Sequence, residues 1–273
     1  MQGIADYQFI ERLGEGNHGT FWLARPPERL VDVDAEFVAV KTLAQQATDQ
    51  DFTRMANELR VYAAVESAHL VPIFDAGHQD GCLFYATAYF EDGSLAAPAR
   101  PMERAEVVQA VASAASGAHA LHEAGIAHRD VKPGNIMIDR AAVNGGMQAQ
   151  LGDLGLAQII NPGQTVTGIG PVGTIEYLAP ELVQGRPASR ASDIWALGIT
   201  LHRTMTGRGV YESFPVDSLL EALRFVLTVR PSVDPDLPSA VQDIIARCLI
   251  EDPAARYPTA ADLGEALRSL GDV

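Results

Sequence analysis

The sequence predicts an α+β protein in two parts, with strands concentrated in residues 1–90 and helices in residues 91–273. Three observations favour this division: an alternating pattern at "EFVAVKTL", helical spacing of apolar residues after residue 105, and turn residues that separate the short segments. We expect a small antiparallel sheet with one helix in the first part and a larger, mainly helical second part.

Composition and charge restrict the kind of protein. The chain has 273 residues, 47% of them hydrophobic, with 24 glycines and 16 prolines, which is typical of a globular protein. Its formal net charge of -15 disfavours a broad nucleic-acid surface, because phosphate contacts need clustered lysine and arginine. Any bound anion must therefore be held by local geometry.

Cysteine usage and hydropathy indicate the cell compartment. Cys82 and Cys248 are far apart and belong to no CxxC or Cys/His cluster, so a disulfide framework and a zinc site are both disfavoured. The start of the chain has no basic segment followed by an apolar one, and no apolar run approaches the roughly 18 residues of a membrane span. We expect a cytoplasmic chain without a membrane segment.

The strand-rich part is predicted from alternation and turn residues. In "EFVAVKTL" the side chains of Ala39 and Lys41 share one face, and those of Val38 and Val40 share the other. The stretch "TDQDFTRMANELRVYAAVES" has apolar residues at helical spacing, with Glu58 near the edge of the apolar stripe. "HLVPIFDAG" and "CLFYATAYF", joined by "HQDG", predict a hairpin.

The helix-rich part follows "EDGSL". From Glu106 to Gly125 apolar residues repeat every three or four positions, and Gly125 is placed to end that helix. "IMIDR" and "AQLGD" predict a small hairpin, whereas residues 155–180, rich in Gly, Thr and Pro, predict a long functional loop. Further helices are predicted at "SDIWALGITLHRTMTG", "LLEALRFVL", "AVQDIIARCLI" and "TAADLGEALRSL".

A glycine-rich turn is the first motif with chemical meaning. "LGEGNHGTFWLA" places Gly14, Gly16 and Gly19 in a G-x-G-x-x-G pattern between two predicted strands. Such a turn lets backbone amides close over phosphates, although the spacing alone also fits a plain hairpin. The dinucleotide-binding interpretation is disfavoured because that fingerprint opens a helix. A following strand that carries "VAVK" favours the phosphate interpretation.

The segment "GIAHRDVKPGNIMID", residues 125–139, concentrates charge between two apolar patches. With "GEGNHG", "VAVK", a helical Glu, "DLG", "GTIEYLAPE" and "SDIWALG" in the expected order, it makes the chain resemble a bacterial-style, eukaryotic-type serine/threonine protein kinase from about Tyr7 to Leu270. The resemblance implies a bilobal protein-kinase-like fold, with an N-lobe at residues 1–90 and a C-lobe at 91–273. It also implies transfer of the γ-phosphate of ATP to serine and threonine hydroxyls of proteins.

The resemblance assigns the catalytic residues. Asp130 would accept or orient the proton of the substrate hydroxyl, and Lys132 would steady the transferring phosphoryl group. Asn135 and Asp153 would hold Mg²⁺, with Mn²⁺ as an alternative, because both supply hard oxygen ligands. Lys132 at this position favours a serine/threonine enzyme over a tyrosine kinase.

The resemblance also assigns the nucleotide site. Lys41 would hold the α- and β-phosphates while paired with Glu58. Thr87 would be the gatekeeper before a hinge whose backbone faces the purine edge, and Ala88 replaces the acidic residue common there. The full set of implied cofactor-binding residues is Leu13, Gly14, Gly16, Gly19, Ala39, Lys41, Thr87, Ala88, Tyr89, Phe90 and Met137.

The loop from Asp153 to Glu181 resembles an activation segment. Arg129 precedes the catalytic Asp, and kinases with this arginine are often switched by a loop phosphate that neutralises it. Thr165 and Thr167 are therefore candidate autophosphorylation sites, although both also fit solvated loop threonines. The resemblance further implies structural roles for an ion pair of Glu181 with Arg256 and for Asp193, which would bind the catalytic-loop backbone.

Three features depart from the family pattern or have a second interpretation. Leu154 replaces the usual Phe of D-F-G, which affects the balance between active and inactive arrangements. Phe21 stands where Val is common, so it either crowds the adenine roof or packs outward. His119, His122 and His128 suggest a metal cluster, but no carboxylate or cysteine complements their spacing, and core or helix-surface positions are favoured.

Two alternative functions remain at this point. A pseudokinase, supported by Leu154, would be stabilised by nucleotide without transferring phosphate. A small-molecule phosphotransferase is disfavoured because "GTIEYLAPE" shapes a peptide-binding ledge in the resembled family. The expected partners are protein substrates and a transient homodimer for autophosphorylation between two copies.

Overall fold

A computed structural model describes residues 3–16, 19–31, 33, 35–45, 49–140, 147–153 and 172–271 of the chain. Leu154, Thr165 and Thr167 lie outside these residues. The described chain divides into two compact units. We call residues 3–65 and 71–89 the sheet unit, and residues 66–70, 90–153 and 172–271 the helical unit.

The sheet unit contains an antiparallel six-stranded sheet and one helix. Its strand order is β1-β2-β3-β4-β6-β5. The elements are β1 (Gly3–Ile4), β2 (Tyr7–Gly16), β3 (Gly19–Arg25), β4 (Val38–Gln45), α1 (Asp49–Ala63), β5 (Ile73–Gln79) and β6 (Cys82–Ala88). This matches the fold class predicted for the first part of the chain.

Alternation along β4 gives the sheet two chemically different faces. Val38 and Val40 are fully buried in one apolar cluster with residues of the neighbouring strands. Ala39 and Lys41 lie on the other face, as the alternation predicts. The period of two therefore places a lysine, only 4% exposed, on a face that is separate from this core.

The hairpin between β5 and β6 follows from its turn residues. Asp80 and Gly81 form the two-residue connection, with φ of 52° and 73° respectively. Positive φ at both positions is the requirement of the tight turn that matches strand twist, and Asp-Gly meets it. "HQDG" thus fixes the register that carries β6 to Thr87.

The helical unit contains seven α-helices, two 3-10 turns and four short strands in the part of the chain that the structure describes. The helices are α2 (Arg104–Glu123), α3 (Val172–Ile175), α4 (Pro180–Val183), α5 (Arg190–Thr206), α6 (Leu219–Thr228), α7 (Ser239–Cys248) and α8 (Ala260–Arg268), and the 3-10 turns are Pro133–Asn135 and Pro253–Ala255. The strands are β7 (Gly93–Ser94), β8 (Ala97–Pro98), β9 (Ile136–Asp139) and β10 (Gln148–Leu151), in the order β10-β9-β7-β8.

Helix α2 is the central element of the helical unit and packs against α5, α8 and β10. Its interior is rich in alanine, the strongest helix former, and a reciprocal capping box joins Glu103 and Glu106 at its start. It ends at Glu123, and Gly125 follows the cap with φ of 78°. The predicted end is confirmed, because only glycine adopts this conformation without a steric penalty.

The sequence did not predict β7 and β8, the two-residue strands that precede α2. Ser94 of β7 pairs with Met137 of β9, so these strands extend the predicted β9–β10 hairpin into a small sheet. Segments this short contain too few residues for an alternating pattern.

A buried ion pair fixes α4 against the start of α5. Arg256 donates from Nη1 to Glu181 Oε1 at 2.7 Å and from Nη2 to Oε2 at 2.9 Å. Its remaining donors reach the carbonyl oxygens of Ile250, Ala191 and Glu251. The guanidinium also stacks on Trp195, 4.8 Å from the ring. The predicted pairing of Glu181 with Arg256 is confirmed.

No helix among the described residues is both long and apolar enough to cross a membrane.

Removing Arg256 should destabilise the helical unit strongly. Because Glu181 is buried, Arg256→Met leaves an uncompensated carboxylate, and we expect a loss of about 3–5 kcal/mol in the free energy of unfolding. The double variant Glu181→Gln/Arg256→Met should lose less than the sum of the single variants. Denaturant unfolding monitored by circular dichroism measures all three.

The matched control is Arg100→Met, which breaks the exposed pair of Arg100 with Glu106. Exposed pairs contribute little, so its unfolding midpoint should stay close to that of the parent. Additive effects of Glu181→Gln and Arg256→Met would contradict the coupling that the geometry shows.

Candidate active site

The catalytic loop follows α2, and the side chain of Asp193 on α5 binds its backbone. Asp193 Oδ2 accepts from the backbone N–H of His128 at 2.7 Å, and Oδ1 accepts from that of Arg129 at 2.9 Å. Arg129 has φ of 72°, which a non-glycine residue rarely adopts. The predicted role of Asp193 is confirmed, and its carboxylate fixes the strained backbone just before Asp130.

Asp130 is held by two side chains of its own loop. Lys132 Nζ lies 3.0 Å from Asp130 Oδ1 and 2.8 Å from Oδ2. Asn135 Nδ2 donates to Asp130 Oδ2 at 3.0 Å and to the Asp130 backbone oxygen at 2.7 Å. The structure therefore brings together the predicted proton acceptor, the predicted phosphoryl-binding lysine and one predicted metal ligand.

Asp153 is positioned through its neighbour Gly152. The Gly152 N–H donates to the Asn135 oxygen at 2.8 Å, and the Gly152 oxygen lies 3.0 Å from His128 Nε2. The other ring nitrogen, His128 Nδ1, accepts from the Asp130 N–H at 3.4 Å, so Nε2 carries the proton. Hydrogen bonds from the catalytic loop thus fix the backbone of Gly152, the residue before Asp153. Asp153 itself has a φ of 56°.

Burial and charge shift the protonation of two groups here. Burial raises the pKa of Asp130, the Lys132 ammonium opposes this rise, and the Asp153 carboxylate adds to it. Burial lowers the pKa of the fully enclosed His128, which agrees with a neutral ring that donates from one nitrogen and accepts at the other. A carboxylate with a raised pKa is the stronger proton acceptor.

The chemistry of the donor set fits magnesium. Asn135 uses its NH₂ group on Asp130, which leaves its carbonyl oxygen as the atom for a hard cation. Asp153 adds a carboxylate close enough to influence the pKa of Asp130. Among the described residues no group of three or more His, Cys, Asp or Glu side chains forms a metal cage. Two protein oxygens suit an ion that also binds phosphate oxygens.

For His119, His122 and His128 the sequence favoured core or helix-surface positions over a metal cluster, and among the described residues no group of three or more His, Cys, Asp or Glu side chains could hold a metal ion. His122 instead lies 2.8 Å from Asp193 Oδ2 through Nε2, and both side chains are buried. Sequence reasoning missed this pairing. His122 falls four residues after Ala118 of the apolar stripe of α2, and a polar residue on such a stripe requires a buried partner.

The glycine-rich turn lies in the sheet unit, between β2 and β3. Gly14 pairs with Phe21, and Gly16 pairs with Gly19. A Cβ atom on Gly19 would lie 2.3 Å from the Thr42 oxygen, so only glycine fits this position. Two antiparallel strands therefore flank the glycine-rich segment, as the sequence predicted, and its binding of phosphate stays a prediction.

Lys41, Ala39 and Thr87 share one face of the sheet. Ala39 pairs directly with Thr87 across β4 and β6, and Lys41 follows two residues later on β4. Thr87 is buried, and its hydroxyl donates to the Ala88 oxygen at 3.3 Å. Glu58 lies on α1, beside the buried Leu59.

The other predicted adenine-site residues are distributed over both units. In the sheet unit, Leu13 lies at an irregularity of β2 and is 39% exposed, and Tyr89 follows β6. In the helical unit, the Phe90 oxygen accepts from the Gly93 N–H at 3.1 Å. Met137 is half-buried on β9, opposite Gln150. Their role in binding a nucleotide stays a prediction.

Comparison with known proteins identifies the family. The family model described as "Protein kinase domain" matches residues 7–266. The chain belongs to the protein kinase family. The family predicted from the motifs and the predicted fold class are thereby confirmed. Members of this family in general use ATP with a divalent metal ion and act on protein substrates.

Several protein kinases of known identity are similar to this chain. Serine/threonine-protein kinase PrkC of Bacillus subtilis is 31% identical over 278 residues, covering 97% of this chain and 40% of PrkC. PknD of Mycobacterium tuberculosis is 32% identical over 268 residues, covering 94% of this chain and 38% of PknD. The chain therefore spans about two fifths of the length of these relatives.

A solved structure shows the same fold. The crystal structure of the Mycobacterium tuberculosis PknI kinase domain matches with a TM-score of 0.69 at 24% sequence identity, covering 98% of each chain. The agreement extends over both the sheet unit and the helical unit.

The raised pKa of Asp130 predicts that its charge opposes folding. A raised folded-state pKa contributes stability that is complete below the ordinary pKa, about 3.9, and is lost as the pH rises through the raised value. Asp130→Asn removes this titration. We expect the variant to melt at a higher temperature than the parent at pH 7, with the difference shrinking toward pH 4, in scanning calorimetry.

The matched control is Asp80→Asn, the same chemical change in the exposed turn of the β5–β6 hairpin, where asparagine is equally suited to positive φ. Its melting temperature should follow that of the parent at each pH. A parent more stable than Asp130→Asn at pH 7 would show that the Lys132 contact outweighs burial.

Proposed function

We propose that this chain is the catalytic domain of an ATP-dependent protein kinase that phosphorylates serine and threonine hydroxyls. One observation carries the proposal: Asp130 is held by Lys132 and Asn135 in a loop that also positions Asp153. Phosphoryl transfer requires a proton acceptor, a cation and oxygen ligands for a metal ion, and this loop together with the residues after β10 supplies them. The chain's similarity to kinases named as serine/threonine-specific supports the acceptor class.

Within this proposal Asp130 is the catalytic base. It accepts the proton of the substrate hydroxyl as that oxygen bonds to the γ-phosphorus and the bridging oxygen leaves with ADP. Lys132 neutralises charge on the transferring group, for which its contact with both Asp130 oxygens already places it. Asn135 and Asp153 would hold Mg²⁺, or Mn²⁺ as the alternative, and the bound ion supplies charge neutralisation of the phosphates.

The sheet unit would contribute the nucleotide contacts. Lys41 would bind the α- and β-phosphates and pair with Glu58, and the glycine turn would cover the phosphates with backbone amides. Ala39 and Thr87, which are paired on the Lys41 face, would contact adenine. We further propose that the domain acts in the cytoplasm, where ATP is available.

Control of activity is proposed to involve the loop after Asp153. A phosphate on Thr165 or Thr167 would attract Arg129, whose backbone Asp193 fixes next to the catalytic base. One chain would phosphorylate another in a transient homodimer.

Phosphate incorporation tests the function directly. Purified protein is incubated with ATP and Mg²⁺, and its phosphosites are mapped by mass spectrometry beside Asp130→Asn and the matched change Asp80→Asn. We expect phosphate on Thr165 or Thr167 in the parent and in Asp80→Asn, and a rate about 10²- to 10⁴-fold lower in Asp130→Asn. Equal incorporation in Asp130→Asn would remove Asp130 from its assigned role. A pseudokinase would be favoured if nucleotide raised the melting temperature but no phosphate were incorporated, either into the chain or into a panel of protein acceptors.

Concentration dependence tests phosphorylation between copies. If one chain acts on another, the initial rate per molecule should rise in proportion to protein concentration, and active parent should phosphorylate a mass-tagged Asp130→Asn chain. An initial rate per molecule that is independent of concentration, with no phosphate on the tagged chain, would show that each chain modifies itself.

A further inference from the structure

A row of four residues in register crosses the sheet unit beside the glycine-rich turn. Gly14 of β2 pairs with Phe21 of β3, Phe21 pairs with Lys41 of β4, and Lys41 pairs with Tyr85 of β6. Directly opposed residues of antiparallel strands project from the same face of a sheet. Lys41 therefore stands between two aromatic side chains.

Both rings contact the charged end of Lys41. Its Nζ lies 4.8 Å from the centroid of the Phe21 ring and 5.9 Å from that of the Tyr85 ring. An ammonium within about 6 Å of an aromatic centroid is attracted by the negative face of the ring, and the attraction increases as water is removed. Lys41 is 4% exposed and Tyr85 is 2% exposed, so little water weakens it.

The strands around this row hold Phe21 in place. On the opposite face, Trp22 stacks on Phe9 with ring centroids 4.8 Å apart, and Trp22 Nε1 donates to Thr42 Oγ1 at 3.2 Å. Thr42 Oγ1 in turn donates to the Thr20 oxygen at 3.3 Å. These bonds join β3 to β4 next to the Phe21 pair, so the register that places its ring by Lys41 is fixed.

Core packing alone can explain a large aromatic side chain at Tyr85 but not at Phe21. Tyr85 is buried, and packing alone accounts for a large side chain there. Phe21 is half-exposed, and its partner in the row on the other side is Gly14, around whose missing Cβ no atom of the described residues lies within 4 Å. Among the described residues the Phe21 ring thus has open space toward Gly14 and a cation on its other side, and filling a core does not explain its size.

We propose that Phe21 and Tyr85 are positioning residues for Lys41, which hold its ammonium by cation–π attraction before the nucleotide arrives. The inference rests on the proposed function, in which Lys41 binds the ATP phosphates. Lysine has a flexible four-carbon stem, and ordering it on binding costs affinity. A lysine that two rings already hold loses less freedom, so the rings strengthen ATP binding. The two sequence interpretations of Phe21, crowding of the adenine roof and outward packing, did not include this contact with Lys41.

Graded fluorination of Phe21 separates cation–π attraction from packing. Phe21 is replaced site-specifically by 4-fluoro-, 3,5-difluoro- and 3,4,5-trifluorophenylalanine, which keep the ring shape and progressively weaken its negative face. We expect the Kd for ATP with Mg²⁺, measured by titration calorimetry, to rise stepwise by about 3- to 10-fold over the series. The melting temperature without nucleotide should change little.

The matched control is the same series at Phe84, the residue before Tyr85 on β6. Phe84 is buried on the opposite face, in the apolar cluster that contains Val40. Its fluorination should leave the Kd for ATP without a graded trend. A Kd that is flat across the Phe21 series, or that rises equally in the Phe84 series, would overturn the cation–π assignment.

A second readout needs no nucleotide. Ring currents of the flanking aromatics should shift the Lys41 ε-methylene protons upfield in the NMR spectrum of ¹³C-lysine-labelled protein, and Phe21→Leu should reverse most of that shift. Unshifted Lys41 signals in the parent would overturn the inference.

Lys41→Met distinguishes failure of the inference from failure of the proposed function. If Lys41→Met weakens ATP binding while the Phe21 series stays flat, only the role of the rings is wrong. If Lys41→Met binds ATP as the parent does, the assigned role of Lys41 in the proposed function is wrong, and the inference falls with it.

Discussion

The carboxylate of Asp193 is the fixed point of the helical unit. It is buried, lies in the first turn of α5, and accepts from the backbone of His128 and Arg129 and from the ring of His122 on α2. The positive end of the helix dipole and the hydrogen-bond donors together offset the cost of burying its charge. Through this one group, the two longest helices of the helical unit determine where the catalytic loop runs.

The loop conformation depends on that interaction because it is unfavourable by itself. Arg129 and Asp153 both have positive φ, and each such residue costs about 1–3 kcal/mol unless its surroundings hold it. Two hydrogen bonds from backbone N–H groups to a charged acceptor, at about 1.5–3 kcal/mol each, are enough to offset the strain at Arg129. The ring of His128 then fixes the backbone of two further residues, because it is hydrogen-bonded to Asp130 and to Gly152, the residue before Asp153.

The sequence correctly predicted those features of the fold that depend on a local pattern of residues. The alternation of β4, the Asp80–Gly81 turn and the end of α2 before Gly125 all follow from the conformational preferences of a few adjacent residues. The pairing of His122 with Asp193 did not, because it joins residues 71 positions apart on two helices. The orientation of Phe21 could not be predicted from the sequence either, because its surroundings are set by the register of three strands and not by its neighbours in sequence.

Charge provides a last constraint on how the site works. The chain has a net charge of -15, and two of its carboxylates, Asp130 and Asp153, lie close enough to influence each other, so the protein as a whole repels a nucleotide polyphosphate. In the proposed function, attraction must come from cations at short range, and Lys132 and Lys41, to which the proposal gives this role, are both mostly buried. Salt screens exposed charges beyond about 10 Å at 0.1 M but affects buried contacts much less. The proposed site would therefore select its anion by the placement of a few side chains and not by the electrostatic field of the surface, which is why the proposal gives weight to residues that would only hold a lysine in position.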